Sequence, residues 1–274
     1  MVSRDVRGQD PSRRAVMRGA AVLAGGVMLG GAGQVLTAPG ALAANEPRVY
    51  TRSEWEARKP TQTPQVLDTP PDHIVVHHTA TENQSDTSRE RAFSLSRGIQ
   101  NWHMDNNGWV DAGQHLTISR GGHVMEGRWG SLPNIRDKRH VVGAHTADHN
   151  SHTIGIENEG SYGSAEPPAL LMGALTETLA WLCTVYGLDP RKAIVGHRDY
   201  NSTECPGDKL YARLDELRGA VRERQSQMAA RLEMMDYAEI PQEFRPSYPP
   251  LPRNERVERY YHGPVLGDGE RDAG

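Results

Sequence analysis

Pro70-Pro71 leads into His73-Ile74-Val75-Val76-His77-His78, a short β-branched run bounded by chain breakers, which reads as a buried strand. Strand and helix signals alternate after it. Residues 88–105 set Phe93, Leu95, Ile99, Trp102 and Met104 near helical spacing and stop at Asn106-Asn107-Gly108. His115-Leu116-Thr117-Ile118-Ser119 and His123-Val124-Met125-Glu126 flank Arg120-Gly121-Gly122, a hairpin pattern. Val141-Val142 and Ile154-Gly155-Ile156-Glu157 are further strand candidates. From Pro168 to Tyr186, Leu171, Leu175, Leu179, Leu182 and Tyr186 form one apolar stripe, halted by Gly187 and Pro190. Ala193 to Gly196 predicts a strand, and Asp208 to about Gln227 a closing helix. Interleaved elements with a hairpin predict an α/β (α+β) fold, a central mixed β-sheet flanked by helices.

The chain has 274 residues, of which 36% are hydrophobic, with 28 Gly and 18 Pro. That is one compact domain with poorly packed ends: a segment over 44–71 with a short helix at Ser53 to Glu56, a domain over 72–225, and a Pro-rich, disordered or loosely docked tail over 226–274. Two Cys exclude a disulfide framework, and a net charge of −4 argues against a nucleic-acid partner.

Residues 1–43 read as an address. Five Arg precede an uncharged stretch from Gly19 to Val35, and Ala41-Leu42-Ala43 offers a small-residue cleavage site. Ser12-Arg13-Arg14 resembles a twin-arginine signal, so a secreted product is expected. The stretch is rich in Gly and Ala, weaker than the roughly 20 strongly apolar residues a spanning helix wants, so no lasting membrane anchor is expected. Without residues 1–43 the chain keeps 26 basic and 33 acidic side chains, a net of −7, so a target must be recognised locally rather than by bulk charge.

Of 12 His, eleven lie between His73 and His197, a first hint of metal or acid–base chemistry. H-E-x-x-H, C-x-x-C, G-x-S-x-G and a Gly-rich phosphate loop are all missing from the sequence. What remains is Gly196-His197 through Cys205-Pro206-Gly207: a His closing a strand, then a Cys in a Pro-Gly turn. Both are good Zn²⁺ ligands, although a buried Cys can equally be a small hydrophobe. His77-His78 closes another strand, and two strand ends on one rim bring distant side chains together.

Ile74 through Ala80, Gly113-Gln114-His115-Leu116, Ile154 through Glu157 and Gly196 through Gly207 resemble the type 2 N-acetylmuramoyl-L-alanine amidases. That superfamily includes peptidoglycan recognition proteins and a phage amidase historically called a lysozyme. The resemblance runs from about Arg48 to Leu217. It implies a zinc site in a groove at the strand ends, with His77, His197 and Cys205 as ligands, and cleavage between the muramic acid lactyl group and L-Ala of peptidoglycan. Three such ligands leave a fourth position for water. His78, by alternation, faces away from His77 and is assigned to packing or to support of the site.

Where the phage enzyme and many recognition proteins carry a proton-handling Tyr, this chain has Gln114, which has no titratable proton. The cytoplasmic anhydro-muropeptide branch also lacks that Tyr, and its catalytic Glu maps onto Glu157, here expected to be the general base. Glu159 is expected on a solvated rim. Thr203 takes the place of an oxyanion-holding Lys or Thr in relatives; the alternative is a hydroxyl bonded to its own turn. Trp109, Trp129, His145 and Asn150 are expected to line the groove beside Gln114, with His145 in a segment resembling a groove wall in relatives. Trp55, Trp102, Trp181 and Cys183 are assigned to the core, and Arg198 and Asp199 to a local ion pair. A monomeric zinc amidase is expected, with a non-cutting peptidoglycan-binding protein and a zinc peptidase acting within the stem peptide as alternatives.

Overall fold

A computed structural model describes residues 46–234, with side chains to 228. The signal-like residues 1–43 and the Pro-rich residues 235–274 lie outside the described residues. The chain divides into two compact units. One, Leu42–Gln227, holds the sheet and its helices; of the other, only residues 228–234, the last turns of the final helix, are described.

The elements are β1 (Val49–Tyr50), β2 (Val66–Leu67), β3 (His73–His78), α1 (Arg89–Asp105), β4 (Leu116–Ile118), β5 (Val124–Glu126), α2 (Ser131–Arg136), β6 (His140–Val141), β7 (Thr153–Asn158), α3 (Ala169–Tyr186), α4 (Pro190–Ala193), β8 (Ile194–Gly196), α5 (Asp208–Ala212) and α6 (Leu214–Met234). A short 3₁₀ turn over His197–Asp199 follows β8. Six strands form one mixed sheet in the order β1-β5-β4-β7-β3-β8, and β2 pairs with β6 apart from it. The strands β4, β7, β3 and β8 run parallel, and the β4–β5 hairpin supplies the antiparallel pair. Ile74, Val75 and Val76 are all fully buried, as expected of a central parallel strand covered on both faces.

Helix α1 starts where the Ser88 hydroxyl accepts the Arg91 amide at 3.2 Å, and it packs beside β5. Helix α3 packs beside β4. Its 18 residues have a mean hydropathy of 1.4, apolar and long enough to cross a bilayer, but Leu171, Leu175, Leu179, Leu182, Trp181 and Cys183 are buried in the core.

Four expectations are corrected here. Residues 52–56 form a hydrogen-bonded turn, not a helix, because the Ala57 amide bonds to Arg52 O and no further turn follows. The segment 44–71 is not separate from the sheet: Val49-Tyr50 pairs in parallel with β5, and Trp55 is fully buried against Met125 and Ala92. The closing helix breaks at Arg213 and runs past Gln227 to Met234, since residues 228–234 contain only good helix formers and no Gly or Pro. Trp102 is not core: it lies on the outer face of α1 and is 60% exposed.

Candidate functional site

Parallel pairing sets the site. The registers Val76↔Gly196 and His77↔Glu157 bring the carboxyl ends of β8, β3 and β7 side by side, so His197, His77 and Glu157 emerge on one rim. Open sheets with parallel strands place ligand sites beyond these ends. Cys205 arrives from the loop after β8. The Arg198 amide donates to Cys205 O at 3.0 Å, and the Arg198 guanidinium bonds Glu204 O, folding the loop back so that the thiol returns to His197. Gly207 follows with φ +89, and a Cβ there would lie 2.4 Å from the Tyr162 backbone, which explains the Pro-Gly turn.

The donor atoms of His77, His197 and Cys205 all lie within 4.8 Å of one another. His77 is 2% exposed, and its Nδ1 is 3.7 Å from Cys205 Sγ. Hydrogen bonds assign the tautomers. A carbonyl oxygen only accepts, so His145 Nε2–H donates to Thr153 O at 3.2 Å and its Nδ1 accepts. That Nδ1 faces both the Thr146 hydroxyl at 2.8 Å and His77 Nε2–H at 3.0 Å as a shared acceptor, which turns the His77 Nδ1 lone pair toward the thiol. Asn201 Nδ2 donates to Ala147 O at 3.3 Å, so its Oδ1 accepts the His197 Nε2–H at 3.0 Å and frees His197 Nδ1. The His78 amide donates to Cys205 Sγ at 3.4 Å. Two oriented neutral imidazoles and a thiol receiving an amide bond fit a divalent transition-metal ion. Burial holds His77 well below its ordinary range, reinforced by His197, and holds His197 down as well. Burial, with the Glu157 charge, pushes the Cys205 thiol up to about 12. All three shifts favour neutral donors, a state that a bound cation would turn toward thiolate.

Beside them lies a cavity of about 520 Å³ lined by these three residues with Glu157, Gln114, His145, Trp109 and Thr203. Glu157 Oε2 is enclosed with no hydrogen-bond partner, and burial raises its carboxyl to about 8. Gln114, 1% exposed, donates Nε2–H to Thr117 Oγ1 at 2.9 Å, while its Oε1 is buried without a partner. Thr203 Oγ1 accepts the Cys205 amide at 3.2 Å; its hydroxyl is thus bonded to its own turn as acceptor and retains its proton for donation. His145 fits only because residue 155 has no side chain: a Cβ on Gly155 would lie 2.5 Å from the His145 ring.

Several candidates are placed elsewhere. Asn150 does not line the cavity; its Oδ1 accepts the amides of His145 and Thr146 at 2.7 and 3.0 Å and shapes their loop. Trp129 lines neither of the two cavities described. Glu159 is not on a solvated rim: fully buried, it pairs with Arg91 at 3.0 Å and accepts the Arg120 amide at 2.9 Å, which offsets its desolvation. Arg198 and Asp199 do not pair with each other. Arg198 binds Asp208 at 2.8 Å, and Asp199 accepts the Gly196 amide at 2.7 Å. His78 supports the thiol through its backbone, and its ring accepts the Tyr162 amide at 3.2 Å while also bordering the cavity.

The sequence reading missed His103, in the last turn of α1. Its Nδ1 accepts the Gly113 amide at 3.1 Å, its ring lies 4.6 Å from Trp109, and burial lowers it to about 4. A second cavity of about 510 Å³ continues along α1, sharing Glu157 and His103 with the first and bordered by Arg91, Ile99 and Trp102. The helical spacing of Ile99, Trp102 and His103 alone does not tell a groove wall from a core face.

Residues 67–208, just over half of the chain, match the family described as N-acetylmuramoyl-L-alanine amidase. The human protein of that name is 34% identical over 167 residues, covering 60% of this chain and 27% of the human one, so the chain spans about a quarter of that relative. A peptidoglycan recognition protein of Trichoplusia ni is 34% identical over 163 residues, covering 60% of this chain and 83% of that one. Among solved structures, peptidoglycan recognition protein-LE in complex with tracheal cytotoxin (monomeric diaminopimelic acid-type peptidoglycan) superposes with a TM-score of 0.53 at 30% identity, covering 61% of this chain and 92% of that one. The matched span holds the whole three-strand rim, the loop that returns the thiol and the cavity between them, and the chain belongs to the N-acetylmuramoyl-L-alanine amidase family.

Proposed function

We propose that the protein is a zinc-dependent N-acetylmuramoyl-L-alanine amidase that hydrolyses the amide between N-acetylmuramic acid and L-alanine in bacterial peptidoglycan. The observation that carries this reading is the convergence of His77, His197 and Cys205 within 4.8 Å beside the half-buried Glu157, whose Oε2 is enclosed. These three residues would hold the zinc ion. Bound there, zinc supplies Lewis acidity, polarising a carbonyl and acidifying water. Glu157 takes a proton from the attacking water and returns it to the departing L-Ala amine; a carboxyl raised by burial is suited to both transfers near neutral pH. The Thr203 hydroxyl donates to the developing oxyanion. His145 fixes His77, and the two joined cavities, with Trp109 and Trp102 on their walls, offer an extended trough to a sugar–peptide chain. We place the reaction outside the cytoplasm on the strength of the signal-like residues 1–43.

Gln114 favours a second reading, a protein that holds peptidoglycan without cutting it, because a buried neutral amide cannot move protons. Incubation with purified cell wall separates the two: new L-Ala amino termini support the amidase, and binding without release supports the recognition protein. New amino termini beyond L-Ala would instead identify a peptidase.

A further inference from the structure

We propose that Asp72, His73 and His152 form a second site for a divalent transition-metal ion, at the opposite end of β3 from the first. Asp72-His73 opens β3 and His152-Thr153 opens β7; the register pairs His73 with Thr153, and the Asp72 amide donates to His152 O at 3.0 Å. The backbone therefore fixes all three residues before any ion binds. His73 is four residues from His77, about 13 Å along a strand, so the two sites cannot share an ion.

One oxygen, Asp72 Oδ1, lies 2.7 Å from His73 Nδ1 and 2.7 Å from His152 Nδ1, and the three ligand atoms lie within 4.8 Å of one another. Ligands about 2.1 Å from a tetrahedral ion are roughly 3.4 Å apart, so modest side-chain rotation admits one. Both rings are about one-third exposed and free to make that adjustment. An ion bound through Nδ1 leaves each imidazole proton on Nε2. For His152 that nitrogen faces His149 Nδ1 at 3.1 Å, the kind of outer partner that orients a ligating imidazole. The Tyr200 ring stacks on His149 at 4.0 Å and meets His73 and His152 edge-on at 6.0 and 6.1 Å, walling the cluster. With two nitrogens, one oxygen and no sulfur, the site is harder than the first and leaves positions for water.

The test is equilibrium dialysis of the full chain against buffered Zn²⁺, with metal counted per chain. Wild type is expected to hold two ions, Cys205→Ser one, and the His73→Ala/His152→Ala double variant one. Co²⁺ loading reports which ion remains: the double variant keeps the near-ultraviolet thiolate band, and Cys205→Ser loses it while still holding cobalt. Asp72→Asn, nearly isosteric, guards against misfolding and is expected to weaken the second ion at least tenfold with an unchanged urea midpoint. One ion in wild type, or two in the double variant, overturns the proposal.

Discussion

Glu157 stands opposite His77 in the parallel register of β7 on β3, so the carboxyl proposed to move protons and an imidazole of the proposed metal-ligand set are neighbours by strand pairing alone. Glu157→Gln keeps the shape and removes the titratable group. Zinc content should be unchanged while turnover on cell wall falls about 10²–10⁴-fold. Near-normal turnover in this variant would hand the role to another group.

Cys205→Ser replaces the softest donor by a hydroxyl. Metal analysis after dialysis should find one zinc ion fewer per chain than wild type retains. His145→Ala removes the acceptor of the His77 Nε2–H, and a chelator-competition titration should record a loss of roughly 10–100-fold in affinity.

Thr203→Val deletes the hydroxyl donor and leaves the Cys205 amide without its acceptor. Turnover should drop by up to about 10² while substrate binding is held, and Thr203→Ser should restore most of it. Equal rates for Val and Ser would confine Thr203 to its turn.

The metal-free protein should carry an acid–base signature in its stability. Burial raises Glu157 from 4.5 to about 8, so between these values the unfolded chain has released a proton that the folded chain keeps. Stability from this group is complete below pH 4.5 and is lost as pH rises to about 8. His77, His115 and His145, held low by burial, act oppositely and lose stability as pH falls below 6.5. Urea unfolding of wild type against Glu157→Gln in chelator isolates the carboxyl. The difference should move in favour of Gln by up to about 1.4 kcal/mol per pH unit across that window. A difference that stays flat with pH would show that the carboxyl is solvated.

Gly155→Ala should cost about 1–3 kcal/mol, because the new methyl would overlap the His145 ring. The same variant should bind zinc less tightly, since displacing His145 frees His77 to rotate. Unfolding and chelator competition read the two effects separately.

The longer strands, the hairpin and the long apolar helix were legible in the sequence because each follows a local period or turn rule, whereas the two-residue strands Val49–Tyr50 and Val66–Leu67 and the parallel strand order are set by pairing and were not. His77, His197, Cys205 and Glu157 were legible through motif resemblance rather than spacing; the structure supplies the rim and the loop-closing bonds that unite them. What stayed hidden was decided by partners far along the chain. Glu159 is buried because Arg91, 68 residues earlier, meets it. Trp102 has the spacing of a core residue, yet among the described residues nothing covers its outward face. Asn150 and Arg198 bind backbone groups of their own loops, an outcome that composition does not encode.

Of the three proposed zinc donors the thiol is the one carried by the long loop after β8, while His77 lies in β3 and His197 directly follows β8. That loop can be edited without touching the sheet. For the proposed amidase, a single codon change there would yield a blunt-edged capture reagent for cell-wall fragments, with the proposed cutting chemistry silenced.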